Sequence, residues 1–220
     1  MSTGHTHDDQ DHDHDHGHEH PAAPMVEEIT DYEVLEIAVR ELAIEHGLFT
    51  AEDHRRFTER AESVGPMHDR CRPAAAWPNG GRSPDPQSPP SGPILGAAWE
   101  RRRMSVTSDG GLGRIGLLEG IRRQGKEWDV LAPRYGVTNP HPPWKTSLIG
   151  TNEGLAAGGV LPALERRKAE DELGDAVYRD VPAPERELLA LVHTMLRRGL
   201  VTEGELARRM HTVRSRLEAV

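Results

Sequence analysis

The sequence predicts a mostly α-helical protein, built of helical hairpins. Three observations predict it. One short phrase occurs three times, as Gly47-Leu48-Phe49-Thr50-Ala51-Glu52-Asp53, Gly159-Val160-Leu161-Pro162-Ala163-Leu164-Glu165 and Gly199-Leu200-Val201-Thr202-Glu203-Gly204-Glu205. Apolar residues recur at helical spacing on both sides of each phrase. No useful run alternates apolar and polar residues as a strand would. In each phrase Gly ends a helix in the left-handed conformation it adopts cheaply, and the apolar pair packs under the turn. Thr then caps the next helix and the acid three residues on closes a capping box, while Pro162 starts its helix without a side-chain cap.

Composition bounds the ordered part. The 220 residues carry a net charge of −9, 35% hydrophobic and 4% aromatic residues, 22 Gly and 17 Pro. That is too little apolar material for one fully globular chain, and it predicts roughly 150 ordered residues. Residues 1–24 read as a disordered tail in which His5, His7, His12, His14, His16, His18 and His20 alternate with six acids. Imidazole and carboxylate suit Co, Ni, Zn or Cu, so the tail is a candidate metal collector, with a merely solvating tail as the alternative.

Residues 25–66 read as the first hairpin. Thr30 and Glu33 form a capping box, Leu35, Ala38, Val39 and Leu42 make the inner stripe, and Gly47 and Thr50 make the turn. Phe57, Ala61 and Val64 line the second helix, which Gly65-Pro66 ends. His46 and His54 read as surface residues near the turn. Residues 67–103 read as a linker, since eight prolines fall between Pro66 and Pro93. Residues 104–220 form the second unit, with helices near 145–158, from Ala163 to about Leu173, after Pro182 and Pro184, and after Thr202. Leu188, Leu191, Val192, Met195 and Leu196 face inward on the third of these, and Leu206, Met210, Val213 and Leu217 on the fourth.

The same residues exclude several functions. One cysteine, Cys71, rules out an internal disulfide and a cysteine-built metal site within one chain. No apolar run reaches the ~20 residues that span a bilayer, and no signal core opens the chain, which points to the cytoplasm. The acidic balance argues against nucleic acid. Ser108-Asp109-Gly110-Gly111-Leu112-Gly113 lacks the Lys-Ser/Thr of a phosphate cradle. No G-x-S-x-G, HExxH or spaced Cys/His cluster occurs outside the tail. Glu165, Glu170, Asp171 and Glu172 read as a solvated face. The residues point to a helical binding or subunit module rather than a self-contained enzyme.

Two stretches resemble a known enzyme family. Pro24-Met25-Val26-Glu27-Glu28-Ile29-Thr30-Asp31-Tyr32-Glu33-Val34-Leu35-Glu36, Ala38 to Glu45 and Gly47 to Arg55, with the His-rich leader, resemble the N-terminus of the metal-binding subunit of thiocyanate hydrolase, a homologue of the nitrile hydratase α subunit. The likeness stops near Gly65-Pro66, where the family continues into a C-T-L-C-S-C claw for cobalt or iron. The second half resembles the β subunit, at Ser108 to Ile115, at Pro143-Trp144, at Gly159 to Arg167 and from Tyr178 to Glu218. It departs from the family pattern at Pro182, followed by Ala183 and Pro184 rather than two tyrosines.

The resemblance implies a hetero-oligomeric subunit, without its own catalytic metal, that supplies interface helices to a claw-bearing partner. The partner would hold cobalt or iron and hydrate a C≡N bond. By register, Arg167, with Arg166 beside it, would reach oxidised claw sulfurs, because a guanidinium fork suits their oxygens. The alternative is an accessory protein that loads cobalt, for which the His tail is suited. A third reading is a fused remnant that folds only in part.

Overall fold

The computed structural model describes residues 28–64, 113–138 and 141–219. The expected tail, the 67–103 linker, Cys71 and most of the Gly-rich stretch lie outside the described residues.

The described residues are mostly helical and contain no strand. Helix α1 (Asp31–Glu45) and α2 (Ala51–Val64) make the first hairpin. The second segment holds α3 (Gly116–Arg122), α4 (Trp128–Leu131) continued by a 3-10 turn (Ala132–Tyr135), α5 (Lys145–Ala157), α6 (Ala163–Ala176), α7 (Ala183–Arg197) and α8 (Glu203–Leu217). The sequence reading found α5 to α8 but not α3, α4 or the 3-10 turn. These elements are too short to show a helical period, and they exist because others cap and cover them. Glu203 accepts from the Leu117 backbone N–H at 3.1 Å, and buried Glu185 accepts from the Trp128 N–H at 2.8 Å. Each acid satisfies a first-turn donor that the short helix cannot satisfy itself.

The repeated phrase is a repeated turn. Gly47, Gly159 and Gly199 have φ of 67°, 68° and 64°. At each, the glycine N–H and the next N–H bond back in the same crossed pattern, Gly47 to Ile44 and Leu48 to Ala43, Gly159 to Ala156 and Val160 to Leu155, Gly199 to Leu196 and Leu200 to Met195. This closes the last carbonyls of the outgoing helix. Thr50 and Thr202 then cap α2 and α8, accepting from Asp53 N and Glu205 N while those acids reach back. The three turns also meet at one end of the bundle. His46 Nδ1 donates to the Leu200 carbonyl at 2.9 Å, and Arg198 donates to the Val160 carbonyl at 3.3 Å and pairs with Glu165.

Helices α2 and α5 lie side by side, α1 lies along α8, and α6 along α7. The α2–α5 contact is set by absent side chains. A Cβ at Gly154 would sit 2.8 Å from the Phe49 ring, one at Gly150 would strike the Thr58 hydroxyl, and one at Gly158 the Leu48 carbonyl. The spacing of four puts all three on one face of α5. The segments read from the sequence as 25–66 and 104–220 therefore share one apolar core, from Tyr32, Leu35 and Val39 to Leu188, Met195, Leu206 and Val213. The inner stripes expected for α1 and α7 are buried, apart from half-buried Leu196. Trp128, Leu131 and Ala132 form a small second cluster.

One polar pair lies in the main core. Tyr178 Oη and His193 Nδ1 are 2.9 Å apart, both side chains fully buried, and His193 Nε2 has no partner. Burial, followed by the nearby Arg197 charge, pushes the His193 imidazole down to about 4. The folded state therefore takes up a proton less readily than the unfolded chain, whose histidine titrates near ~6.5. Stability is fullest above that value and declines as pH falls towards 4, by about 2–3 kcal/mol. In His193→Gln, urea unfolding should show that share of the acid-side decline removed.

The glycines give a test of opposite signs. Gly120, inside α3, has nothing within 4 Å of an added Cβ, so Gly120→Ala should stabilise by about 0.5–1 kcal/mol. Gly154→Ala, against Phe49, should destabilise by about 1–3 kcal/mol. Chemical denaturation of the two variants checks both.

Candidate functional site

Two polar clusters qualify for attention. The first sits where α1, α2 and α5 meet. Glu36 is buried at 1% exposure, and Ser147 Oγ donates to its Oε1 at 2.6 Å. His54 Nε2 lies 3.1 Å from the Ser147 carbonyl and 3.3 Å from Ser147 Oγ, and its ring stacks on Phe49. His54 is thus buried, at 8% exposure, and not the surface residue expected from the sequence. Its place in the polar first turn of α2 concealed it, because the helix that covers it is 93 residues away.

Serine, histidine and carboxylate together suggest nucleophile chemistry, but the hydrogen bonds are the wrong way round. A carbonyl only accepts, so His54 Nε2 carries the proton and donates to Ser147 O. That nitrogen is then no base toward the serine. The hydroxyl gives its own proton to Glu36, not to the imidazole. A hydrolytic triad needs the serine to donate to the histidine and the histidine to donate to the acid. This cluster is a three-helix tie. Burial lowers the His54 imidazole, opposed by the Ser147 carbonyl and assisted by Arg40. Burial raises the Glu36 carboxyl, opposed by the Arg40 charge and the Ser147 hydroxyl.

The second cluster is a shallow cleft of about 340 Å³ between α5, α6 and α7. Arg166 and Arg167, both singled out by the sequence, line it with Glu170, Glu187, Asn152 and Ile149. They differ in setting. The Arg167 side chain is 69% exposed and only 4.0 Å from Glu170 at its closest, whereas Arg166 is 21% exposed and 3.7 Å from the same carboxylate. Arg166 Nε is buried without a partner, as is Asn152 Oδ1. Lys145 pairs with Glu187 across the cleft. Burial raises the Glu170 carboxyl, Glu187 adds to this, and Arg167, Arg166 and Lys145 oppose it. Glu170 is therefore half-buried beneath the arginines rather than on the solvated face expected for it, while Glu165, Asp171 and Glu172 are exposed. Exposed Leu164 flanks the arginines on α6.

Arg166 and Arg167 were singled out by their register in the resemblance to the β subunit. That register gave no sign of Asn152, Glu187 or Lys145, which come from other helices. The seven tail histidines lie outside the described residues. Among the described residues no group of three or more His, Cys, Asp or Glu is arranged to hold a metal ion, and no helix is long and apolar enough to cross a membrane.

Comparison with known proteins gives one sequence relationship. No family model matches the chain, and no solved structure matches it. The thiocyanate hydrolase subunit gamma of Thiobacillus thioparus is 58% identical over 55 residues. Those residues are 25% of this chain and 23% of that subunit, so the match spans about a quarter of the curated relative's length.

The different exposure of the two arginines has a stability consequence. Arg167→Ala should change unfolding free energy by no more than about 0.5 kcal/mol, as for an exposed residue with a weak ion pair. Arg166→Ala removes a half-buried stem and should cost about 1 kcal/mol. Thermal unfolding of both variants measures the difference.

Proposed function

We propose that this chain is a subunit of a thiocyanate hydrolase or nitrile hydratase type complex, contributing helices to the interface with a claw-bearing partner. The observation that carries this is the 58% identity over 55 residues to a thiocyanate hydrolase subunit. The β-type likeness of Gly159 to Arg167 adds a reason to look at α6. A three-cysteine claw does not fit this chain, which has a single cysteine. The cobalt or iron, and the hydration of a C≡N bond, therefore belong to the partner in this reading.

Within it, this chain's own residues bind and orient. Arg167, 69% exposed and no closer than 4.0 Å to Glu170, offers guanidinium donors to the oxygens of an oxidised sulfur in the partner's claw. Arg166, 3.7 Å from Glu170, keeps a positive charge behind its neighbour. Asn152 and Ile149 form the floor against which a partner loop would rest.

A second reading follows from the seven histidines of the tail, which suit a protein that delivers cobalt to such an enzyme. Calorimetry with Co²⁺ separates the two. Loading predicts tight binding that disappears when residues 1–20 are removed, with the metal passing to a claw subunit. A structural subunit predicts a stoichiometric complex that persists through turnover.

Co-expression with a claw-bearing γ-type subunit, followed by affinity capture and mass spectrometry, should recover a stable complex active on thiocyanate or a nitrile. Arg167→Ala should leave the complex assembled and lower kcat by about ten- to a hundredfold, the loss of one charge-assisted hydrogen bond. Turnover by the lone polypeptide would sink the reading.

A further inference from the structure

The cleft between α5, α6 and α7 holds two unpaired polar groups of opposite kind. Asn152 stands in the middle of α5 at 6% exposure, and its Oδ1 has no hydrogen-bond partner. Arg166 Nε, on α6, is a buried donor without a partner. Both side chains line the cleft. A polar amide in a helix interior ordinarily points to solvent or bonds the preceding turn. Asn152 Oδ1 does neither, and a covered acceptor of this kind calls for a partner from outside the chain.

The rest of the cleft limits what that partner can be. Arg166, Arg167 and Lys145 stand against Glu153, Glu170 and Glu187, so the charges balance and favour neither a cation nor an anion. Ile149, 36% exposed, makes one wall apolar. At about 340 Å³ the cleft falls within the roughly 300–1,000 Å³ of small-ligand sites. The group that fits is small, neutral and planar, with a donor and an acceptor side by side and a short alkyl part.

A primary carboxamide has that form. One of its N–H groups and its C=O share an edge, as do those of the Asn152 amide, so the two amides can close a pair of hydrogen bonds. The ligand N–H donates to Asn152 Oδ1, Asn152 Nδ2 donates to the ligand oxygen, and the second lone pair of that oxygen accepts from Arg166 Nε. A trans peptide bond has its N–H and C=O on opposite edges and closes only one of the pair. A carboxylate has no proton to give Oδ1. The terminal torsion of Asn is soft, so the covered Oδ1 turns to the ligand at little cost.

We propose that this cleft is a binding site for a primary carboxamide, held by Asn152 and Arg166. The site stands on the geometry, whereas its natural ligand rests on the reading above, in which a partner adds water across a C≡N bond. For a nitrile that addition puts the oxygen on carbon and both hydrogens on nitrogen, and the product is a primary carboxamide. A Gln or Asn side chain of a partner loop carries the same group.

The test uses the whole isotope-labelled chain and propionamide, followed by NMR. The Arg166 Nε–H and Asn152 side-chain signals should shift and saturate, with a dissociation constant on the order of millimolar. N-methylacetamide and propionate should not saturate them. Asn152→Leu, which keeps the volume and removes the unpaired amide, should fold and weaken binding at the Arg166 signal by about tenfold or more. Asn152→Asp, which cannot donate to the ligand oxygen, should do the same. A blocked glutamine, N-acetylglutamine methylamide, separates the two sources. Binding tighter than that of propionamide assigns the group to a partner side chain, and weaker binding assigns it to a free product. Absence of saturation by propionamide, equal binding of N-methylacetamide, or unchanged affinity in both Asn152 variants overturns the proposal. No complex and no turnover enter the measurement, so that failure leaves the proposed function standing, and failure of the complex to form leaves the site standing.

Discussion

The distance between α2 and α5 is the constraint on which the rest depends. Three glycines at a spacing of four remove the side chains that would hold the helices apart. Close approach brings Phe49 over Gly154 and lets His54 reach the Ser147 carbonyl. It also places Ser147 against Glu36, so that a carboxylate at 1% exposure keeps a strong partner. Were α5 one methyl further away, Glu36 would lose the Ser147 hydroxyl and keep Arg40, 3.5 Å away on its own helix, leaving part of a buried carboxylate unsatisfied at some cost. Packing and polar satisfaction are thus one event here, and neither helix achieves it alone.

Electrostatics completes what packing begins. The first hairpin is acidic, and the cations of α8 stand along α1 where its acids need them. Exposed ion pairs of this sort contribute little individually, but they select one orientation of α1 among several that would bury the same apolar stripe. The three Gly turns add a second selection. Because they gather at one end, His46 and Arg198 can bond the carbonyls that follow the helix ends, joining one turn to the next. A repeated local motif becomes a shared structural end of the bundle.

The two polar clusters show why residue types alone do not define a site. Ser147, His54 and Glu36 have the composition of a hydrolytic centre, but the proton on His54 Nε2 is committed to a carbonyl. Arg166 and Arg167 are neighbours in sequence, yet one lies against Glu170 and the other projects outward. The second arrangement leaves most of the guanidinium in solvent, and the first does not.

Much of this was written in the chain. Gly, two apolar residues, then Thr or Pro and an acid specify a helix end, a turn and a helix start with no outside help, because every hydrogen bond involved is local. Apolar spacing likewise marked the inner faces of α1, α7 and α8, since a helix shows its buried side through its period. The arginine pair was named only through the register of a family resemblance. Tertiary structure decided the rest. It joined the two segments into one core, a matter of surfaces that meet only when both have formed. It made α3 and α4 helical through Glu203 and Glu185, acids far away in sequence. It buried His54, whose environment is supplied by Ser147 on another helix. Short-range bonds leave their signature in adjacent residues. Long-range contacts leave it in two places whose pairing is not encoded in either one.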